Sequence, residues 1–412
     1  MRIAFLAQSY PPMISGAAIA AEQLANEMAK CGHQILVIAA SDRRQPYVVR
    51  QNNITIIRLK SIRNPARVGQ RLLVYPRTSV LKALSEFKPD ILHGHEPLLC
   101  WIGFEYTRKM NVPTTLTMHM LPWFVTGYLP KPSILHRLVE QASWLYVRVF
   151  TRNFTSIITT TKTASTAITK ITGIRTETIP CGIDTQTFHP SPPMDSESAV
   201  RARFGLPPGV PVLLHVGRLD PEKNVEFILR AAALTMSQTN AHLLIIGDGR
   251  AKSALMKLSR SLGIEDRTHF PGYLSTHNGL PEAYRIADLF VMASEIESQG
   301  LVLLEAAASG LPLVAVNATS LAEIVHEGVN GHLVQSGDAQ ALGTAMTDLL
   351  NDPDEARRMG RESRSLAATY DIRLVQKMHE QFYEKLIKQQ GTGSHYQTLS
   401  WKRVKSWMGF SD

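Results

Sequence analysis

Short unbroken apolar runs alternate along this chain with longer stretches in which apolar residues recur every third or fourth position. In the first half the runs are residues 2–7, 33–39, 54–59, 90–95, 114–119 and 156–161, and each reads as a buried strand. Between the first two, residues 17–30 have helical spacing and stop at Gly32. Strands that alternate with helices imply βαβ units and a parallel sheet. The pattern lapses between Pro180 and Pro211, where Pro190-Ser-Pro-Pro and Pro207-Pro-Gly break it. It then starts afresh with runs at 212–217, 243–249, 287–293 and 313–316. Residues 370–390 read as a long terminal helix with Asp371 as N-cap.

The expectation is an α/β protein of two domains, residues 1–188 and 189–370. A terminal helix over 371–390 packs back on the first domain, and a basic, aromatic tail covers 391–412. The halves share an architecture without a short internal repeat. Residues at the carboxyl ends of the strands line the ligand crevice of such sheets, and Gly16, His95 and His119 all fall there.

Composition refines this modestly. A chain of 412 residues can bury two cores, and 44% hydrophobic with 19% charged residues fits a soluble globular protein. No run approaches the ~18 apolar residues of a membrane-spanning helix, and the first residues read as a strand rather than a signal peptide. Cys31, Cys100 and Cys181 are too scattered for a zinc site or a disulfide framework, which points to a reducing cytoplasm. Charge is unevenly placed. The net charge is +9, yet residues 1–190 carry +12 and the remainder −3, and no acidic residue occurs between Arg43 and Ser85. An anionic partner for the first half follows.

The candidate chemistry gathers after the 287–293 run. There Ser294-Glu-Ile-Glu297-Ser-Gln-Gly300 forms a loop, and an Ala-rich helix runs from Leu301 to a stop at Gly310. Gly300 lets backbone approach a ligand, and the N–H groups of a first helical turn favour a phosphate. Glu297 and Glu305 flank that helix start, able to accept hydrogen bonds from sugar and ribose hydroxyls. An ordinary loop glutamate and an ordinary helix glutamate would have the same spacing. A second strand end, Val216-Gly217-Arg218-Leu-Asp-Pro-Glu-Lys223, supplies an arginine fork and a lysine point charge, both able to reach a diphosphate. A solvated basic loop would carry the same pair. Asp352-Pro-Asp354 is the one Asp-x-Asp triplet, and it reads as a turn into a helix rather than a divalent-ion site.

Glu297, Glu305 and the following Ala-Ala-Ala-Ser-Gly-Leu-Pro-Leu-Val-Ala resemble the signature of glycosyltransferase family 4, a large retaining family of GT-B fold. The resemblance implies two Rossmann-like, doubly wound parallel-sheet domains facing across a cleft, with a nucleotide sugar as donor substrate and no metal or other cofactor. It places Arg218 and Lys223 on the leaving diphosphate, beside Gly300, Leu301 and Val302 at the helix start. Glu297 would hold the sugar hydroxyls and Glu305 the ribose diol. Gly16, Gly217 and Gly247 would line the donor, Tyr273 would lie beside the base, and His119 near the reacting centre. The residues implied in catalysis are therefore His119, Glu297, Arg218 and Lys223. The chain departs from the family pattern at Gln299, where an aromatic is usual, at Ala17 in place of a second glycine, and at Cys181 in the Pro180–Asp184 interdomain turn. His93 and His95 read as structural.

Residues 119–130 hold Trp123, Phe124 and Tyr128, and Trp144, Tyr146 and Phe150 follow among Arg137, Arg148 and Arg152. Aromatics mixed with arginines suit an anionic bilayer interface. The segment resembles the acceptor region of diacylglycerol glycosyltransferases in that family. The expectation is a hexosyltransferase, peripheral on the inner face of the cell membrane, moving a sugar from a UDP-sugar rather than a GDP-sugar to a membrane lipid. The tail around Trp401, Trp407 and Phe410 is either disordered or membrane-bound. A soluble sugar, sugar phosphate or polysaccharide precursor is the alternative acceptor, and a GT-B epimerase a further rival. No nucleic-acid-binding module accompanies the charge.

Overall fold

The computed structural model describes residues 1–13, 15–64, 71–74, 76–119, 121–122, 134–190, 197–318 and 320–391. Trp123, Phe124, Tyr128 and the tail from 392 lie outside them. The chain divides into two compact units, one of residues 1–182 with 372–412, the other of Ile183–Asp371.

The first unit is built on strands β1 (Arg2–Leu6), β2 (Gln34–Ala40), β3 (Tyr47–Gln51), β4 (Ile54–Leu59), β5 (Ser61–Arg63), β6 (Arg71–Leu73), β7 (Ile91–Gly94), β8 (Thr114–Met118), β9 (Ser156–Thr159) and β10 (Thr176–Thr178). Eight of them form one sheet in the order β10-β9-β8-β7-β1-β2-β4-β3, and β5 pairs with β6 separately. All pairs in the large sheet are parallel except β3 with β4. β1 sits in the middle, with Ala4 opposite Leu36 on one side and Leu92 on the other. Its residues alternate between two cores. Ala4 and Leu6 join Leu36, Leu92, Leu116 and Ile157 on one face. Ile3 and Phe5 join Leu24 and Met28 of the Gly16–Lys30 helix, together with Val375, Phe382 and Tyr383 of the Ile372–Gly391 helix. Burial on both faces is why these strands lack a polar alternation.

Trp144 and Phe150 correct the aromatic reading. Phe150 of the Ile134–Thr151 helix is 2% exposed and packs with Phe104 and Phe154, while Trp144 lies against the same core. The same helix leaves Ile134, Leu138 and Leu145 exposed. Their spacing puts them on one side.

The second unit holds β11 (Val212–Val216), β12 (His242–Ile246), β13 (Thr268–Gly272), β14 (Leu289–Met292), β15 (Leu313–Val316) and β16 (Gly331–Val334). They form one parallel sheet in the order β13-β12-β11-β14-β15-β16. Counted within the unit this is 3-2-1-4-5-6, the doubly wound dinucleotide-fold order. The winding reverses between β11 and β14, and a ligand crevice opens where the strands on either side of such a reversal end. Asp352 takes the capping role its sequence suggests, accepting from Glu355 N at 3.0 Å ahead of the Pro353–Ala368 helix. Among the described residues, no helix is long and apolar enough to cross a membrane.

Candidate functional site

Both strands that flank the reversal point of the second unit deliver polar loops. β11 leads through Gly217 and Arg218 into a 3-10 turn, Pro221–Lys223, and then the Val225–Met236 helix. β14 leads through Ser294–Gln299 to Gly300 and the Leu301–Ala308 helix. The two loops are stitched together. Asn224 Nδ2 donates to the Ala293 carbonyl at 3.3 Å, and Ser294 Oγ lies 3.5 Å from the Glu222 carbonyl. Lys223 Nζ is paired with Glu297, and Ser320 Oγ donates to the Glu297 carbonyl at 3.0 Å. Lys223 and Glu297, read separately from sequence, therefore share one site.

Arg218 does not stand as a free cation. Its guanidinium bridges Asp220 and, at 2.7 Å, Glu222, and Asp220 is also within 3.6 Å of Arg250. Sequence inspection gave Asp220 and Glu222 no role, although both lie within the quoted motif. An anion entering this loop must take Arg218 and Lys223 from carboxylates already holding them.

The helix start behaves as its sequence suggests. Gly300 is the N-cap, in the left-handed region at φ 86°, and provides no side-chain cap for the first turn. That leaves an electropositive helix end beside the Lys223–Glu297 pair. Glu305 sits further in, 8% exposed, with Oε2 2.9 Å from the Tyr284 hydroxyl. The same hydroxyl lies 3.1 Å from the Val302 carbonyl. Burial raises the Glu305 carboxyl to about 7, and the Tyr284 bond opposes that rise. Tyr284 carries no motif to mark it in sequence, being 21 residues away from Glu305 on another helix.

Gly217 and Gly247 meet backbone to backbone. A Cβ on Gly247, whose φ is 143°, would lie 1.8 Å from the Gly217 carbonyl oxygen. β12 and its loop thus support the Arg218 turn directly. His215, one residue before Val216, is buried, with Nδ1 bonded to the Val291 carbonyl at 3.0 Å and its ring pushed down to about 4 by burial. Tyr273, after β13, is 47% exposed.

Gly16 and His119 belong to the first unit. Gly16 opens its helix behind Ser15, whose side chain accepts from Ala18 N at 3.1 Å. His119 follows β8 and is half-buried, its Nε2 2.9 Å from His95 Nδ1. His93 and His379 complete a stack of rings beside Phe5. Burial pushes His119 down to about 4 and His379 to about 3. Among the described residues, no group of three or more His, Cys, Asp or Glu side chains is disposed to hold a metal ion.

Comparison with known proteins follows the same division of the chain. The model described as Glycosyltransferase Family 4 matches residues 14–187, and the one described as Glycosyl transferases group 1 matches 196–366. The D-inositol 3-phosphate glycosyltransferase of Thermobispora bispora is 30% identical over 297 residues, 67% of this chain and 67% of its own length. The chain belongs to glycosyltransferase family 4.

A second relative of this family 4 glycosyltransferase is the alpha-monoglucosyldiacylglycerol synthase of Streptococcus pneumoniae. It is 26% identical over 363 residues, 86% of this chain and 79% of its own. Among solved structures, Anabaena Alr3699/HepE in complex with UDP-glucose superposes with a TM-score of 0.75 at 21% identity, covering 93% of this chain and 100% of that one. That likeness shows the GT-B fold. In this family 4 glycosyltransferase the second unit brings Arg218, Lys223, Glu297 and the Gly300 helix start together. Gly217 follows β11 and Gly247 follows β12, and Glu305 lies within the Leu301–Ala308 helix. Gly16 and His119 stand on the first unit's own strand ends.

Proposed function

We propose that this chain is a retaining hexosyltransferase that takes its sugar from a UDP-sugar and gives it to a hydroxyl of a membrane lipid such as diacylglycerol. The observation that carries the donor half is the Lys223–Glu297 pair at the mouth of the Leu301–Ala308 helix. A diphosphate there meets two cations, Arg218 and Lys223, from the loop after β11 and the amide end of the helix that follows β14. Its arrival releases Glu297 to accept from the sugar hydroxyls, so the ion pair becomes two separate ligand contacts. The UDP-glucose bound by the Anabaena neighbour supports uridine as the nucleotide.

The chemistry is a substitution at the anomeric carbon. The bond to the β-phosphate oxygen breaks as the acceptor oxygen bonds from the same face, and the departing phosphate oxygen takes the acceptor's proton. Arg218, Lys223 and the Leu301 and Val302 amides offset the charge that builds on the leaving group, and no metal is needed for that. His119 stands by the transferred sugar. Glu305 holds the ribose diol through the oxygen that Tyr284 leaves open.

The lipid reading rests on the Ile134–Thr151 helix and on a relative. Ile134 and Leu138 are 81% and 57% exposed, with Arg137 and Arg148 on the same helix. The S. pneumoniae relative is a glucosyldiacylglycerol synthase by name. A soluble sugar phosphate is the second reading, favoured by the inositol-phosphate enzyme among the relatives. Incubation with UDP-[14C]glucose, diacylglycerol vesicles and a soluble sugar phosphate separates them. Label in the organic phase supports the lipid acceptor, label only in a soluble glycoside supports the second, and free epimerised nucleotide sugar contradicts both.

A further inference from the structure

His95 is 8% exposed and lies between two rings, 4.4 Å from His93 and 5.2 Å from His119, the latter tilted by only 15°. Each nitrogen of His93 has a hydroxyl partner, Tyr383 at 2.6 Å and Thr117 at 2.7 Å. His95 differs, with Nδ1 on His119 Nε2 at 2.9 Å while its own Nε2 is buried with no partner among the described residues. Two neutral imidazoles share one proton in that bond, so two arrangements compete. If His119 donates, His95 must carry its proton on Nε2, an N–H sealed away from any acceptor. If His95 donates, the buried Nε2 is a bare lone pair. Orphaned donors are the rarer and more expensive of the two. The proton therefore sits on His95 Nδ1, and that of His119 is displaced to its own Nδ1, which bonds no described residue.

We propose that His95 is a positioning residue that sets the tautomer of His119, so that His119 offers the substrate an Nδ1–H donor and not a basic nitrogen. This rests on the reading above only in assigning His119 to the sugar. The tautomer itself does not depend on it. His119 then acts by orienting and neutralising charge, and the acceptor proton leaves with the phosphate.

The test is imidazole 15N NMR on the full chain at neutral pH, with the two rings assigned through His95→Phe and His119→Phe. The expected spectrum has Nδ1 protonated and Nε2 bare on both rings. Protonated Nε2 on His119, or signals averaged between tautomers, overturns the proposal. Kinetics give a second arm that a merely structural role would not move. His95→Phe keeps the stack without the donor and lowers kcat about tenfold, the worth of an ordinary hydrogen bond, at unchanged donor KM. His95→Asn returns a donor near the Nδ1 position and restores most of that loss. Equal kcat in all three overturns the proposal. A wild type that transfers no sugar refutes the function while the spectrum still decides the tautomer, and if His95→Phe fails to fold, His119→Phe alone assigns the His119 ring and its protonated nitrogen decides.

Discussion

Glu305 carries the clearest pH signature at the scale of single residues. Burial raises its folded carboxyl to about 7, above the ~4.3 of an unfolded glutamate. Between those values the folded state holds a proton that the unfolded state has lost, so stability falls as pH rises through that window. One group contributes at most about 1.4 kcal/mol per pH unit. Glu305→Gln keeps an acceptor for Tyr284 without the charge. Its melting temperature should exceed wild type by a few degrees at pH 8 and match it at pH 5. A pH-independent difference would mean that the carboxyl is not buried as described. In kinetics the site residues separate. Lys223→Ala should lower kcat by about 10²-fold, the scale of losing one charge-stabilising group in the transition state. Glu305→Ala should instead raise the donor KM. The identities of Lys223, Glu297 and Glu305 were legible in sequence because each sits in a short motif. Their pairings were not. Tyr284, Asp220, Glu222 and His95 gain roles only through contacts made by the folded chain.

At the scale of elements, the central strands were legible because they are buried on both faces and so read as continuous apolar runs. The edges were not. β3, β10 and β13 are short or polar, and β16 opens at Gly331, which reads as a turn. That glycine is needed for another reason, since a Cβ there would lie 1.9 Å from the Leu313 carbonyl oxygen of the neighbouring strand. The helix start at Gly300 is the element on which the site turns. Alanine in the left-handed region costs roughly 1–2 kcal/mol, and its Cβ would come 3.3 Å from Leu321 Cδ2. Gly300→Ala should lower the melting temperature by a few degrees and weaken UDP binding together. Normal UDP affinity in a destabilised protein would separate the helix start from the site.

For the molecule as a whole, charge distribution is the property that sequence shows best. Residues 1–190 carry +12 and the remainder −3, and the exposed apolar side of the Ile134–Thr151 helix lies within the basic part. Flotation with vesicles containing anionic lipid should recover the protein, less so as salt rises and screening shortens to about 8 Å. Replacing Ile134, Leu138 and Leu145 by Ser should abolish recovery without changing the melting temperature, since all three are exposed. The donor reading is more fundamental, because it holds whatever the acceptor. Calorimetric titration of UDP into the full chain in EDTA, beside Arg218→Ala and Lys223→Ala, tests it most directly. Wild type should bind without a metal, and each variant at least tenfold more weakly. Equal affinity in all three, or no binding without a divalent ion, would contradict it.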